Sequence, residues 1–360
     1  MDLPKIVSRK VRYAVVGLGT LAVEEILPAF AQSQYSQLSG LVSGEKDKLK
    51  HLGKVFGVPE DCQWTYDQYE ELLSSGEIDA IYIVLPNVMH ADYTIRALKA
   101  GKHVLCEKPM AATIAECEAM NQASAESGAK LMLAYRLQYE PLNRQVVEWM
   151  REERFGKIQS ILSCNMQMTT APDIRLESEM AGGPVGDIGI YSINAARYIT
   201  GEEPESVFAV AHAPANSRFN EVPANVSFIL TFPSGVHASC TCGFDSAIHR
   251  SFSVHCQEGV VRMDPSFSYN GLRLFYSEKG EEVEVPGTPF NQFAGEIDHF
   301  SECVLHDRAP RSGGDEGLKD IRVIAAIHRS VEQGCAVSID DPALAGDYPA
   351  LTRSHEAVSR

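Results

Sequence analysis

Val11-Arg12-Tyr13-Ala14-Val15-Val16-Gly17-Leu18-Gly19-Thr20-Leu21-Ala22 decides the fold of the first half of the chain. A short apolar run stops at glycine and gives way to a helical pattern through Glu24, Ile26, Leu27 and Phe30, so the stretch reads as strand, tight turn, helix. The spacing is G-x-G-x-x-A. Gly17 permits the turn, Gly19 lets backbone approach a pyrophosphate, and Ala22 is small enough for the helix to pack on the strand. A phosphate would sit on the free N–H groups of the helix N-terminus, where the helix dipole also favours negative charge. A plain strand-to-helix turn has the same outline, so the residues after it decide between the two.

Those residues keep the rhythm of a dinucleotide fold. A second strand over 38–43 ends at Ser43-Gly44, where an acid would select NAD by binding the ribose 2′-hydroxyl; instead Lys46, Lys48 and Lys50 come next. That favours NADP, the alternative being a solvated lysine-rich helix start. A buried strand over 78–87, a helix over 90–100, a strand over 103–106, a helix opened by Thr113 and Glu116, and a strand over 130–134 complete a β-α-β series. Ligands of such sheets bind outside the carboxyl ends of the strands, which gathers Gly17, Pro86-Asn87 and Glu107-Lys108-Pro109 around one crevice. Pro109 bars the αR region for Lys108 and so directs it. An ammonium there can orient a substrate hydroxyl beside a nicotinamide; the alternative is an exposed lysine before a loop proline.

The second half changes pattern. After a connecting helix over 141–153, strands are expected over 158–168, 207–212, 226–232, 236–242, 251–256, 260–263 and 272–276, an open, largely antiparallel sheet. Between the first two, Gly182-Gly183 precedes a helix from Asp187 to Tyr198. Asp187 and Tyr191 are i and i+4 and share a helix face, with Asn194 a turn further on. Together they offer a carboxylate and a phenol, although Asp187 could be a plain N-cap and Tyr191 a packing residue. One face of the sheet is expected to cover this helix, and the other to be buried by a partner subunit or left solvated. Helices over 290–306 and 315–333 close the chain.

Composition narrows the class. The chain has 360 residues, 44% hydrophobic and 22% charged, ordinary for a protein with two packed cores. A formal charge of -16 argues against general nucleic-acid or anionic-membrane binding, which needs clustered Lys and Arg. There is no run of roughly 18 apolar residues to span a membrane, and residues 1–10 lack the apolar core of a secretory signal, so a cytoplasmic protein is expected. Nine cysteines without C-x-x-C spacing read as reduced, small hydrophobes, and Cys240 with Cys242 is too sparse a set for zinc, so no metal is expected.

These residues resemble the Gfo/Idh/MocA oxidoreductases, on its glucose-fructose oxidoreductase-like branch. The resemblance runs from about residue 11 to 340. It rests on Gly17-x-Gly19-x-x-Ala22, Leu85-Pro86-Asn87 with His90, Gly101-Lys102-His103-Val104 leading into Glu107-Lys108-Pro109, and Gly182-Gly183-Pro184-Val185-Gly186-Asp187-Ile188-Gly189-Ile190-Tyr191. Ser43-Gly44 with Lys48, Tyr135-Arg136 with Tyr139-Glu140-Pro141, and Gly201-Glu202-Glu203-Pro204 point to that branch. The sequence departs from the pattern at Tyr191, where many members carry histidine, and it lacks the export signal and arm of the periplasmic enzyme.

The resemblance implies an α/β N-terminal Rossmann domain over 1–136, then an α+β C-terminal domain over 137–340 with a large, mostly antiparallel open sheet for substrate and oligomerisation, and a tail over 341–360. It implies NADP held by Gly17, Gly19, Thr20, Leu21, Ser43, Lys48, Pro86, Asn87, His90, Glu107 and Lys108, and a sugar held by Lys108, Arg136, Asp187 and Tyr191. It implies catalysis by Tyr191 as acid/base, with Lys108 stabilising its phenolate and Asp187 orienting the sugar, in a homodimer or homotetramer. The implied reaction oxidises C1 of a pyranose aldose to a lactone, with possible return of the hydride to a second sugar. Alternatives are a xylose or trans-dihydrodiol dehydrogenase that releases NADPH, and a non-catalytic NADP-binding regulator.

Overall fold

The computed structural model describes residues 9–215 and 217–345, so residues 346–360 of the expected tail lie outside the described residues. The chain divides into two compact units. The first comprises the chain up to Met110, Glu116–Tyr139 and Asn291–Gly317; the second comprises Ala111–Ala115, Glu140–Phe290 and the chain from Leu318.

In the first unit β1 (Val11–Val16), β2 (Ser36–Val42), β3 (Gln63–Trp64), β4 (Ala80–Ile83), β5 (His103–Glu107) and β6 (Leu131–Ala134) form one parallel sheet, in the order β3-β2-β1-β4-β5-β6. That is the doubly wound order of dinucleotide-binding domains. Val15, Val16, Ile81, Ile83, Val104 and Leu105 are all fully buried, which is why these strands read as continuous apolar runs rather than alternations. The helical turns after Gly19 widen into a π-turn over Ala22–Ile26, the Leu27 amide donating to the Ala22 carbonyl. Pro28 accounts for the widening, because its ring would meet the Glu24 carbonyl in a regular α-helix and it has no N–H to donate.

A late segment returns to this sheet. On the helix Gln292–Leu305, the Ser301 hydroxyl bonds those of Tyr13 (2.9 Å) and Ser36 (2.7 Å), while Asp298 accepts from the backbone amides of Gln34 and Tyr35. Residues 291–317 therefore fold with the first unit, although they lie within the 137–340 range that the resemblance implies for the C-terminal domain.

The second unit carries nine strands: β7 (Ile158–Met168), β8 (Ser206–His212), β9 (Asn225–Thr231), β10 (His237–Gly243), β11 (Asp245–Cys256), β12 (Gly259–Met263), β13 (Leu274–Glu278), β14 (Glu281–Val285) and β15 (Val337–Ser338). Their order is β14-β13-β12-β11-β7-β10-β9-β8-β15, antiparallel except for β7 beside β10. Side chains alternate as the pleat requires. Ile161, Phe228, Cys240, Val254 and Val261 face inward and are buried; Leu162, Phe208, Val210 and Ile229 face outward and are 41–54% exposed. The helix Ile190–Thr200 lies on the inner face, its Ser192 hydroxyl 2.7 Å from that of Ser163 on β7. β14 escaped the sequence reading because Glu281, Glu282 and Glu284 hide its pattern. Their charges are matched across the ladder, Arg262 to Glu282 at 3.0 Å and Arg273 to Glu284 at 2.8 Å. Lys279 (φ 54) and Gly280 (φ 86) form the two-residue turn that makes this hairpin.

Candidate active site

The crevice of the first unit is set by the turn after β1. Gly17 has φ 97, and a Cβ there would stand 2.2 Å from the Val84 carbonyl oxygen beyond β4. Only glycine fits. A Cβ on Gly19, by contrast, would meet nothing within 4 Å, and Gly19 and Thr20 are exposed while Ala22 is fully buried. The turn is thus closed on its sheet side and open on the side where a pyrophosphate would lie against the Gly19, Thr20 and Leu21 backbone. The residues fit a bound dinucleotide.

At the end of β2, Ser43 is buried, and its hydroxyl accepts from the Glu45 amide at 3.3 Å. The Lys48 ammonium pairs with the Glu45 carboxylate at 2.7 Å on the surface. Such an exposed pair contributes about 0–1 kcal/mol, so a ribose phosphate can displace Glu45 at little cost. After β4, Pro86 and the half-buried Asn87 lead into the helix His90–Lys99. His90 is fully buried, its two ring nitrogens each 2.8 Å from a backbone carbonyl, those of Pro109 and Leu85. It is buried between the loop after β4 and the loop after β5, and as a neutral imidazole it donates its one ring N–H to one of these two carbonyls. Burial holds its pKa below the ordinary histidine value, opposed in part by the two carbonyls.

Glu107 is also turned inward. Its Oε1 accepts from the Tyr82 hydroxyl at 3.0 Å and its Oε2 from the Lys108 backbone amide at 3.3 Å, while the Lys108 side chain is half-buried. The Tyr82 hydroxyl also lies 3.1 Å from Oε1 of Glu296, on the returning helix. Arg136 is 3% exposed in the turn Arg136–Tyr139 and donates from Nη1 to the Gln292 side-chain oxygen, so its charge is spent inside the unit. Desolvation raises the pKa of Glu107, and raises that of Glu296 further with the charge of Glu107 added; Arg136 opposes both shifts.

In the second unit, Asp187 lies within a π-turn, Val185–Gly189, that precedes the helix Ile190–Thr200. The residue at the N-cap is Pro184, so the plain N-cap reading of Asp187 does not hold. Asp187 Oδ2 accepts from Arg175 Nε at 2.9 Å, and this pairing is the leading cause of the raised pKa of the Arg175 guanidinium. Gly182 shapes the loop between them, since a Cβ there would stand 2.6 Å from the Arg175 carbonyl oxygen. The Asn165 amide, on β7, donates to the Ile188 carbonyl at 2.9 Å and anchors the π-turn to the sheet. Tyr191 is half-buried, its ring stacked on Phe267 with centroids 6.0 Å apart and planes at 25°. The Asn194 amide, a turn further on, donates to buried Asp320 at 3.0 Å. The sequence reading missed Arg175, Phe267, Tyr82 and Glu296. Among the described residues no His, Cys, Asp and Glu group could hold a metal ion, and no helix is long and apolar enough to cross a membrane.

Comparison with known proteins agrees with this fold. Residues 11–135 match the oxidoreductase family with an NAD-binding Rossmann fold, and residues 143–262 match the Gfo/Idh/MocA C-terminal domain. The chain belongs to the Gfo/Idh/MocA family of oxidoreductases. Among its relatives is D-xylose 1-dehydrogenase [NADP(+)] of Haloarcula marismortui, 32% identical over 92% of this chain and 93% of that protein. An aldose-aldose oxidoreductase from Caulobacter crescentus, solved with glycerol, superposes with TM-score 0.89 at 40% identity, covering 92% of this chain and all of that one. A 3-ketoreductase from Actinomadura kijaniata, solved with NADP and TDP-benzene, superposes with TM-score 0.80 at 28% identity, covering 89% and 98%.

The two glycines separate folding from binding. Gly17→Ala meets both a backbone clash and a positive φ, and should lower unfolding free energy by at least about 1–3 kcal/mol in urea titration. Gly19→Ala should unfold like the wild type yet lose dinucleotide affinity in fluorescence titration. Equal affinity in Gly19→Ala would remove the pyrophosphate from this turn.

Proposed function

We propose that this chain is an NADP-dependent sugar oxidoreductase that oxidises C1 of a pyranose aldose to the lactone. The observation that carries the reading is the likeness, over nearly the whole chain, to an aldose-aldose oxidoreductase and an NADP-dependent xylose 1-dehydrogenase. Bound NADP supplies the hydride acceptor. Ser43 and Lys48 take its 2′-phosphate, and the same titration run with NAD beside NADP reads that preference, equal affinities counting against it.

Lys108, Asp187 and Tyr191 act on the sugar. Tyr191 takes the proton of the C1 hydroxyl as the C1 hydrogen leaves as hydride, and the carbon-oxygen bond becomes the lactone carbonyl. Lys108 orients the hydroxyl that is oxidised beside the nicotinamide. Asp187 accepts from a neighbouring sugar hydroxyl, exchanging its exposed Arg175 pair for it. Return of the hydride to a second sugar gives an alditol; release of NADPH is the second reading, which the xylose dehydrogenase relative favours. The cytoplasm is the compartment we assign, since all nine cysteines stand as free thiols, and cell fractionation checks it.

The outward sheet face carries Leu162, Phe208, Val210 and Ile229, large apolar side chains left exposed on one face, and such clustering marks an interaction surface. We assign it to a second copy of the chain, in a homodimer or homotetramer.

Tyr191→Phe keeps the ring on Phe267 and deletes only the hydroxyl. Folding and NADP binding should survive while kcat falls roughly 100-fold to 10,000-fold. Lys108→Met should cost a comparable factor, and the double variant little more than the worse single one. A fully active Tyr191→Phe enzyme would hand the proton to another group. For the assembly, a specific dimer buries on the order of 1,200 Å² or more, and Leu162→Glu with Ile229→Glu should dissociate it in sedimentation. A wild-type monomer at micromolar concentration would contradict the interface.

A further inference from the structure

One phenol in the first unit bonds two carboxyl groups. Tyr82, fully buried on β4, places its hydroxyl 3.0 Å from Glu107 Oε1 and 3.1 Å from Glu296 Oε1. A phenol owns one proton, and an ionised carboxylate only accepts. Two carboxylates would leave one contact as oxygen facing oxygen with no hydrogen between, so one carboxyl must carry a proton and donate it to the phenol oxygen. The surroundings say which. Glu107 is beside Lys108, and its second oxygen already takes the Lys108 amide at 3.3 Å, a bond that favours the ionised form. Glu296 is 0% exposed, and its Oε2 has no hydrogen-bond partner. A lone buried carboxylate oxygen is costly as an anion and tolerable as the carbonyl of an acid.

We propose that Glu296 is a positioning residue held as a neutral acid, which donates to the Tyr82 hydroxyl so that Tyr82 donates to Glu107 and fixes the carboxylate that holds the Lys108 backbone. The direction is set end to end: Glu296 O–H to Tyr82, Tyr82 O–H to Glu107 Oε1, and Lys108 N–H to Glu107 Oε2. Other groups face this chain. Arg136, in the turn after β6, favours both anions, yet shares its guanidinium with Gln292, one turn before Glu296. Tyr139 in the same turn is hydrogen-bonded to Ser312. Tyr13 on β1 is taken by Ser301, and Glu25, after β1, feels Arg136 but is itself pushed toward the neutral form by burial. None supplies Glu296 Oε2 with a donor. The positioning role rests on the proposed part of Lys108 in sugar oxidation; the neutral state of Glu296 does not.

The charge state is read without substrate. An acid whose folded pKa is raised costs the folded state stability as pH rises above its unfolded value, about 4.3. Glu296→Gln stays neutral, and it can still donate to Tyr82. Comparing urea unfolding of the two proteins, the unfolding constant of the wild type should rise relative to that of Glu296→Gln by up to about tenfold per pH unit above that point. A ratio that is flat, or that falls with pH, would mean an ionised Glu296 and overturn the proposal. Should Glu296→Gln fail to fold, infrared spectra with isotopically labelled glutamate decide: a protonated-carboxyl band at neutral pH that Glu296→Leu lacks supports it, and the same bands in both proteins overturn it. Positioning is read from kinetics. Tyr82→Phe and Glu296→Leu should keep dinucleotide affinity and KM but lower kcat on the order of tenfold, the worth of one hydrogen bond, with Glu296→Gln retaining more activity than Glu296→Leu. Unchanged kcat in Tyr82→Phe would leave the chain a structural one. An enzyme inert toward every aldose would sink the sugar reading, while the unfolding comparison would still decide the state of Glu296.

Discussion

The close approach of the Gly17 backbone to the Val84 carbonyl is the constraint on which the first unit depends. With no side chain in the way, the end of β1 lies against the loop leaving β4, and the next helix can start with its amides free and Gly19 bare. Any larger residue would separate the two strand ends that frame the crevice. His90 repeats the logic one strand over, packed between the loops after β4 and β5 with a ring nitrogen 2.8 Å from a carbonyl of each. The crevice is therefore fixed by backbone and buried contacts, and its rim is left to Gly19, Ser43, Asn87 and Lys108.

Charge is distributed on the same plan. Inside the first unit, Tyr82 bridges the carboxyl groups of Glu107 and Glu296, and the buried Arg136 donates to Gln292, so these polar groups face one another within the core. Lys48 pairs with Glu45 at the surface, where water screens the pair, and the half-buried Asp187 pairs with the exposed Arg175.

Much of this was legible in the sequence because local pattern carries it. The run from Val11 to Ala22 names strand, turn and helix unaided, and β7 was read over its full length from the alternation between Ile158 and Met168. What was missed is non-local or atypical. β3 is two residues long. The returning helix is anchored by Asp298 and Ser301 to residues more than 250 positions earlier, a separation no window detects. Glu296 left one sign: it stands in the buried stripe of Gln292, Phe293, Ile297 and Phe300, where a glutamate should have prompted the question of its partner. Arg175 left none, for the irregular loop before Gly182 has no period to betray that it meets Asp187.

Sugar oxidation by this chain stands or falls on where the hydride comes from and where it goes. The most direct measurement is to incubate the protein and NADP with an aldose deuterated at C1 and to follow the label by mass spectrometry and NMR. The predicted result is deuterium on the nicotinamide ring, or on the alditol when a second sugar accepts it, with the labelled aldose recovered as its lactone. Deuterium that stays on unreacted aldose across a panel of pentoses and hexoses, with NADP demonstrably bound, would contradict it.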